Sequence, residues 1–128
     1  MNLVLLVIGL ALVEFLAFGT LVGQARGKYG IEAPATSGHP EFERRFRVHQ
    51  NTLEQLVIFV PAILIFQHYW NPGLAAGLGV VFLVGRIIYY RGYVADPAGR
   101  TTGFTIGFLA QAILVLGAIA GAVIEIVS

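Results

Sequence analysis

Apolar residues fall into four long runs separated by three polar breaks of different character. The first run extends from Leu3 to about Val22, interrupted by Glu14 and closed by Gln24, Arg26 and Lys28. A connection rich in turn formers follows, with Gly27, Gly30, Pro34, Gly38 and Pro40. The second run opens charged (Glu41, Glu43, Arg44, Arg45, Arg47), passes through amides and a hydroxyl (Gln50, Asn51, Thr52), and ends as hydrocarbon. Asn71-Pro72-Gly73 separates it from the third run, and Asp96-Pro97-Ala98-Gly99 separates the third from the fourth. The pattern predicts helices over about 2–25, 41–69, 73–93 and 101–127, in a single domain spanning residues 1–128.

At 1.5 Å per residue each of these can cross a hydrocarbon core of about 30 Å. The second span, roughly 43 Å long on that rise, is too long for it, so its charged first turns should project into headgroups or water. Pro61 lies within this span and is expected to kink it. The first run has no basic leader and exceeds the roughly 7–15 apolar residues of a signal sequence, so it is expected to be a retained membrane helix.

Composition makes the membrane assignment firm. Of the 128 residues 57% are hydrophobic and only 12% charged, more apolar surface than so small a soluble domain can bury. A net charge of +1 gives no basic face for nucleic acid. Without cysteine there is no disulfide, thiolate metal site or protein thiol nucleophile. His39, His49 and His68 lie on separate segments without metal-ligand spacing, so no metal is expected. All eight basic residues lie in or near the first and third connections. The positive-inside rule then puts both connections in the cytoplasm and both chain ends outside.

Polar chemistry therefore converges on one membrane face. On the second helix Arg47, Asn51 and Glu54 stand at i, i+4 and i+7, with Gln50 beside them; on the third, Arg86, Tyr89, Tyr90 and Tyr93 repeat the arrangement. Arg100 stands where the fourth helix begins. One carboxylate, Glu54, cannot neutralise Arg47, Arg86 and Arg100 together, and unpaired guanidinium groups in a membrane are costly. A small anion with several hydrogen-bonding groups would satisfy them, with arginines on its carboxylates, Glu54 on an ammonium, and Asn51 and the tyrosines on amide or carboxylate edges. A thiol cofactor beside Arg100 would be activated by partial ionisation. Taken singly, the tyrosines are as well explained as an interfacial belt.

The run Pro40-Glu41-Phe42-Glu43-Arg44 with Arg47-Val48-His49-Gln50-Asn51-Thr52-Leu53-Glu54, and then Gly85-Arg86, Tyr89, Gly92-Tyr93, Pro97 and Arg100, resembles the signature of the membrane-associated proteins in eicosanoid and glutathione metabolism (MAPEG). The wording is most similar to the type 3 branch of the microsomal glutathione S-transferases. The resemblance implies an all-α integral membrane protein, a four-helix bundle assembling as a homotrimer, with glutathione as co-substrate bound between subunits near the cytoplasmic face. It implies Arg47, His49, Asn51, Glu54, Arg86, Tyr89 and Tyr93 as glutathione-binding residues, Arg26 reaching the tripeptide from the adjacent protomer, and Arg100 as the catalytic residue that stabilises the thiolate. Conjugation to hydrophobic electrophiles, with peroxidase activity toward lipid hydroperoxides as a secondary expectation, is the implied detoxifying activity. The second substrate would arrive through the lipid, into a groove of helices one and four. The expected location is a bacterial inner membrane, or the endoplasmic reticulum membrane in a eukaryote.

Two positions depart from the pattern. Gln55 replaces a tyrosine common in relatives, and Lys28 follows a glycine where leukotriene C synthase has a second arginine; an eicosanoid substrate is therefore unsupported. Two other readings compete. Glu14, a lone carboxylate near mid-membrane, is what a small proton-coupled multidrug transporter would carry; its alternative is a protonated or hydrogen-bonded role within the bundle. A non-catalytic lipid-binding member of the same family is the other.

Overall fold

The computed structural model describes residues 1–128 as four antiparallel helices: α1 (Asn2–Tyr29), α2 (Pro40–Tyr69), α3 (Pro72–Ala95) and α4 (Arg100–Val127), with a 3₁₀ turn at Pro97–Gly99 before α4. All four are long and apolar enough to cross a membrane. Each boundary has a local cause. α1 runs four residues beyond its expected end because Arg26 and Lys28 are good helix formers, and it stops at Gly30, whose φ of 69° is left-handed. Pro40 opens α2 behind His39, whose Nδ1 accepts the Glu41 amide at 3.1 Å. Asn71 Oδ1 accepts the Gly73 and Leu74 amides to start α3, and Asp96 Oδ1 accepts that of Ala98 to start the turn. α2 continues through Pro61 as one unbroken helix.

α2 and α3 form the centre. α1 packs on one side of them and α4 on the other, so α1 and α4 scarcely meet. The main core combines Val4, Val7 and Ala11 of α1 with Phe59, Ile63, Phe82 and Leu114, and the Phe59 and Phe82 rings stack at 4.2 Å between centroids. The outer surfaces of α1 and α4 are left covered with exposed leucines, isoleucines and valines, as lipid contact requires.

The most extensive contact is between α3 and α4, and glycine makes it possible. A methyl group on Gly103 would run into the backbone of Tyr89, one on Gly85 into the backbone of Gly107, and one on Gly92 into that of Gly99. Backbone lies on backbone along this seam. Gly73 and Gly77, although spaced four apart on α3, take no part: a side chain at Gly77 would meet open space. Gly117 and Gly121 do pack, against the rings of Phe66 and Tyr69.

Candidate functional site

The glycine seam brings the first turn of α4 against the end of α3. Arg100, Thr101 and Phe104 thereby face Tyr89 and Tyr93, and Arg47 and Asn51 of α2 complete the wall. The seven line a half-open recess of about 430 Å³, within the range of small-molecule sites. Neither Arg47 nor Arg100 has an ion-pair or hydrogen-bond partner in the chain; the salt bridges present join Glu41 to Arg44 and Arg45. Tyr89 stacks on Tyr93 at 5.7 Å, giving the recess a flat aromatic side. Two cations, a side-chain amide, a threonine hydroxyl and two phenols thus converge on one volume.

Arg86 lies beneath this recess rather than in it. It is 1% exposed, its Nη2 donates to Asn51 Oδ1 at 2.8 Å and to Thr52 Oγ1 at 2.9 Å, and its guanidinium covers the Tyr89 ring at 4.3 Å. Thr52 Oγ1 in turn donates to the Val48 carbonyl at 2.7 Å. The arginine Nε is buried without a partner. Arg86 therefore fixes Asn51 and Tyr89 from behind. Glu14 of α1 makes no ion pair with it; the salt bridges of the chain are those of Glu41.

The remaining sequence-predicted residues lie elsewhere in the single chain. His49 points to α1, where it stacks on Phe15 at 4.4 Å and abuts Gly19; a step of two residues from Arg47 turns it to another side of α2. Glu54 is exposed and lines no cavity. Arg26 lies over the Phe42 ring at 4.8 Å and donates to the Ala35 carbonyl at 2.7 Å. It is on the α1 side, so it does not reach the recess of its own chain.

An apolar groove continues from the recess. It lies between α2 and α4, has a volume of about 460 Å³, and shares Phe104 with the recess. Tyr89, Phe104 and Phe108 form an aromatic run from one to the other, with centroids 6.3 and 6.2 Å apart. The expected pairing of helices one and four is not found within one chain, because the α2–α3 pair separates them. Phe104, Thr101 and Gln111 were missed from sequence. Gln111 carried a usable signal, as the one amide within the apolar part of the fourth run.

Residues 4–120 match the family model described as the MAPEG family. An uncharacterized protein of Synechocystis sp. is 46% identical over 114 residues, covering 89% of this chain and 83% of its own. Human microsomal glutathione S-transferase 2 is 41% identical over 99 residues, 77% of this chain and 67% of its own. Mouse leukotriene C4 synthase is 34% identical over 85 residues, 66% of this chain and 57% of its own. The transferase named here is type 2, whereas the motif wording pointed to the type 3 branch.

Proposed function

The chain belongs to the MAPEG family of integral membrane proteins, and from that premise we propose that it is a membrane glutathione transferase, working as a homotrimer with its recess open to the cytoplasm. The observation that carries this reading is the pair of unspent guanidinium groups, Arg47 and Arg100, facing one amide-lined and phenol-lined volume. An anion with amide edges is what such a set binds. The human type 2 relative bears the transferase name.

In this reading Arg47 holds a glutathione carboxylate, Asn51 an amide edge, and Tyr93 and Tyr89 the flat side of the peptide. Arg100 stands beside the sulfur. Its charge favours loss of the thiol proton to water, raising the thiolate fraction at neutral pH. The sulfur lone pair attacks the electrophilic carbon of a substrate lying in the α2–α4 groove. A C–S bond forms, and the electron pair leaves with the departing group or moves onto the activating carbonyl oxygen, which is then protonated. Holding a water-soluble thiol and a lipid-soluble electrophile at adjoining sites supplies the remaining advantage. With a lipid hydroperoxide the same thiolate would take the distal oxygen, breaking the O–O bond and releasing the alcohol. A second glutathione would then return the first as disulfide and water.

The position of Arg26 fits assembly: it cannot serve its own recess, and a neighbouring protomer offers the recess it would serve. Glu54 and His49 keep a place in the proposal only through such a neighbour. The test is glutathione binding to the purified protein in detergent, read by thiolate absorbance near neutral pH. Saturable binding with a thiolate signal is expected. Silence at millimolar glutathione would overturn the reading. Glu14→Gln should leave conjugation intact, whereas loss of proton-driven export with conjugation absent would favour the transporter.

A further inference from the structure

Two arginines that do not line the recess tie its α2 and α3 walls together. Arg86 does so at the floor, through Asn51 and Thr52. Arg44 does so at the lip, where its Nη1 donates to the Val94 carbonyl, 50 residues away, at 3.1 Å. The end of α3 leaves that carbonyl free. In a continuing helix the Ala98 amide would meet it, but that amide bonds Asp96 Oδ1 instead. A guanidinium there also faces the negative end of the α3 dipole. Glu41 Oε1, at 3.6 Å, holds Arg44 from its own helix. Arg44 itself lines no cavity, and the site described above makes no use of it, although it stands within the motif at the start of α2.

The recess side chains of α2 and α3 are bracketed by these ties. Arg47 lies between Arg44 and Asn51, and Tyr89 and Tyr93 lie between Arg86 and Val94. At the lip no other hydrogen bond joins the first two turns of α2 to α3. Their apolar side chains go elsewhere: Phe42 is clustered with Val22 and Ala25 of α1, and Phe46 packs on that cluster. The start of α2 is therefore fastened to α1 by hydrocarbon and to α3 by one guanidinium. We infer that Arg44 is a positioning residue for the recess: its bond to the Val94 carbonyl sets the gap across which Arg47 faces Tyr93, and so the strength with which Arg47 grips an anion. This role rests on the reading of the recess as a glutathione site.

The test is equilibrium titration of glutathione into the detergent-solubilised protein. Arg44→Met keeps the side-chain stem and removes the donor; it should weaken binding about fivefold while kcat at saturating glutathione stays within about twofold. Arg44→Lys keeps a donor and should bind within about twofold of wild type. In an Arg47→Ala background Arg44→Met should change affinity by less than about twofold, because the group it positions is gone. A cation acting only through its field would lose its influence in about 1 M salt, where the Debye length is about 3 Å, whereas the effect of a displaced Arg47 persists. A residue that only stabilises the fold would lower the thermal midpoint and leave the affinity of the folded protein unchanged. Unchanged affinity in Arg44→Met, an equal loss with and without Arg47, or a loss abolished by salt would overturn the inference. Should Arg44→Met not accumulate as folded protein, the same cycle is run with Arg44→Gln, whose loss must likewise disappear without Arg47. Wild-type protein that binds no glutathione would defeat the transferase reading and this role together; glutathione binding indifferent to Arg44 would defeat this role alone.

Discussion

Two recesses open on the basic face of this bundle, and both are built from cations and tyrosines. One, between α2, α3 and α4, holds Arg47 and Arg100 with Tyr89 and Tyr93. The other, between α1, α2 and α3, holds Lys28 and Arg45 with Tyr29 and Tyr90 in about 200 Å³. Their residue types barely differ; their bookkeeping of charge does. Arg45 is already engaged, donating to the Glu41 carbonyl at 2.8 Å and to Oε2 of the same residue at 3.0 Å, and Lys28 lies over the Tyr29 ring at 5.4 Å. Arg47 and Arg100 have no such partner. Cationic residues near a membrane face are common. Cations that the fold leaves uncompensated around one shared recess are the ones that point to a ligand.

That contrast can be broken or sharpened by substitution. The largest effect is expected from Arg100→Ala, which should lower kcat for conjugation by about 10²–10³-fold, the scale for losing one charge-stabilising donor. The KM for glutathione should move much less, and steady-state kinetics distinguishes the two. Normal turnover would remove Arg100 from the chemistry. Next comes Arg86→Leu. It strips Asn51 and Thr52 of their buried donor and should cost about 1–3 kcal/mol of stability, seen as a lower thermal midpoint in detergent together with weaker glutathione binding. Arg47→Ala should weaken glutathione binding about tenfold, the loss of one charge-assisted contact, with kcat nearly unchanged; equilibrium titration checks it. The smallest effect belongs to the other recess: Arg45→Ala removes an i,i+4 pair at the helix surface, of a kind that contributes little, and should leave conjugation within about twofold. A collapse of activity there would erase the distinction between the two recesses.

The sequence carried the four spans because each is a long apolar run, and it carried Arg47, Asn51, Tyr89, Tyr93 and Arg100 because local spacing and motif wording both mark them. What it did not carry are relations between distant residues. Arg86 is marked as costly by its place in an apolar helix, yet its role depends on Asn51 and Thr52, 35 and 34 residues away. Gly103 and Gly107 carry no side-chain chemistry of their own, and only their contact with Tyr89 and Gly85 shows that they set the distance from Arg100 to the tyrosines. His49 sits inside the strongest motif but turns to α1, since periodicity gives a face of a helix without saying which neighbour that face meets. α1 ended late for a related reason: polar residues end a membrane crossing, but a helix ends only where backbone geometry changes, at Gly30.

Phe104 belongs to both the recess and the groove, so a single ring stands between the two volumes. Any displacement of that ring by a chain settling on one side alters the volume left on the other. Linkage makes the influence mutual: the factor by which a lodged chain changes tripeptide affinity equals the factor by which the tripeptide changes affinity for the chain. A larger or smaller side chain at this one position should retune cooperativity between two ligands bound there, leaving Arg47 and Arg100 untouched.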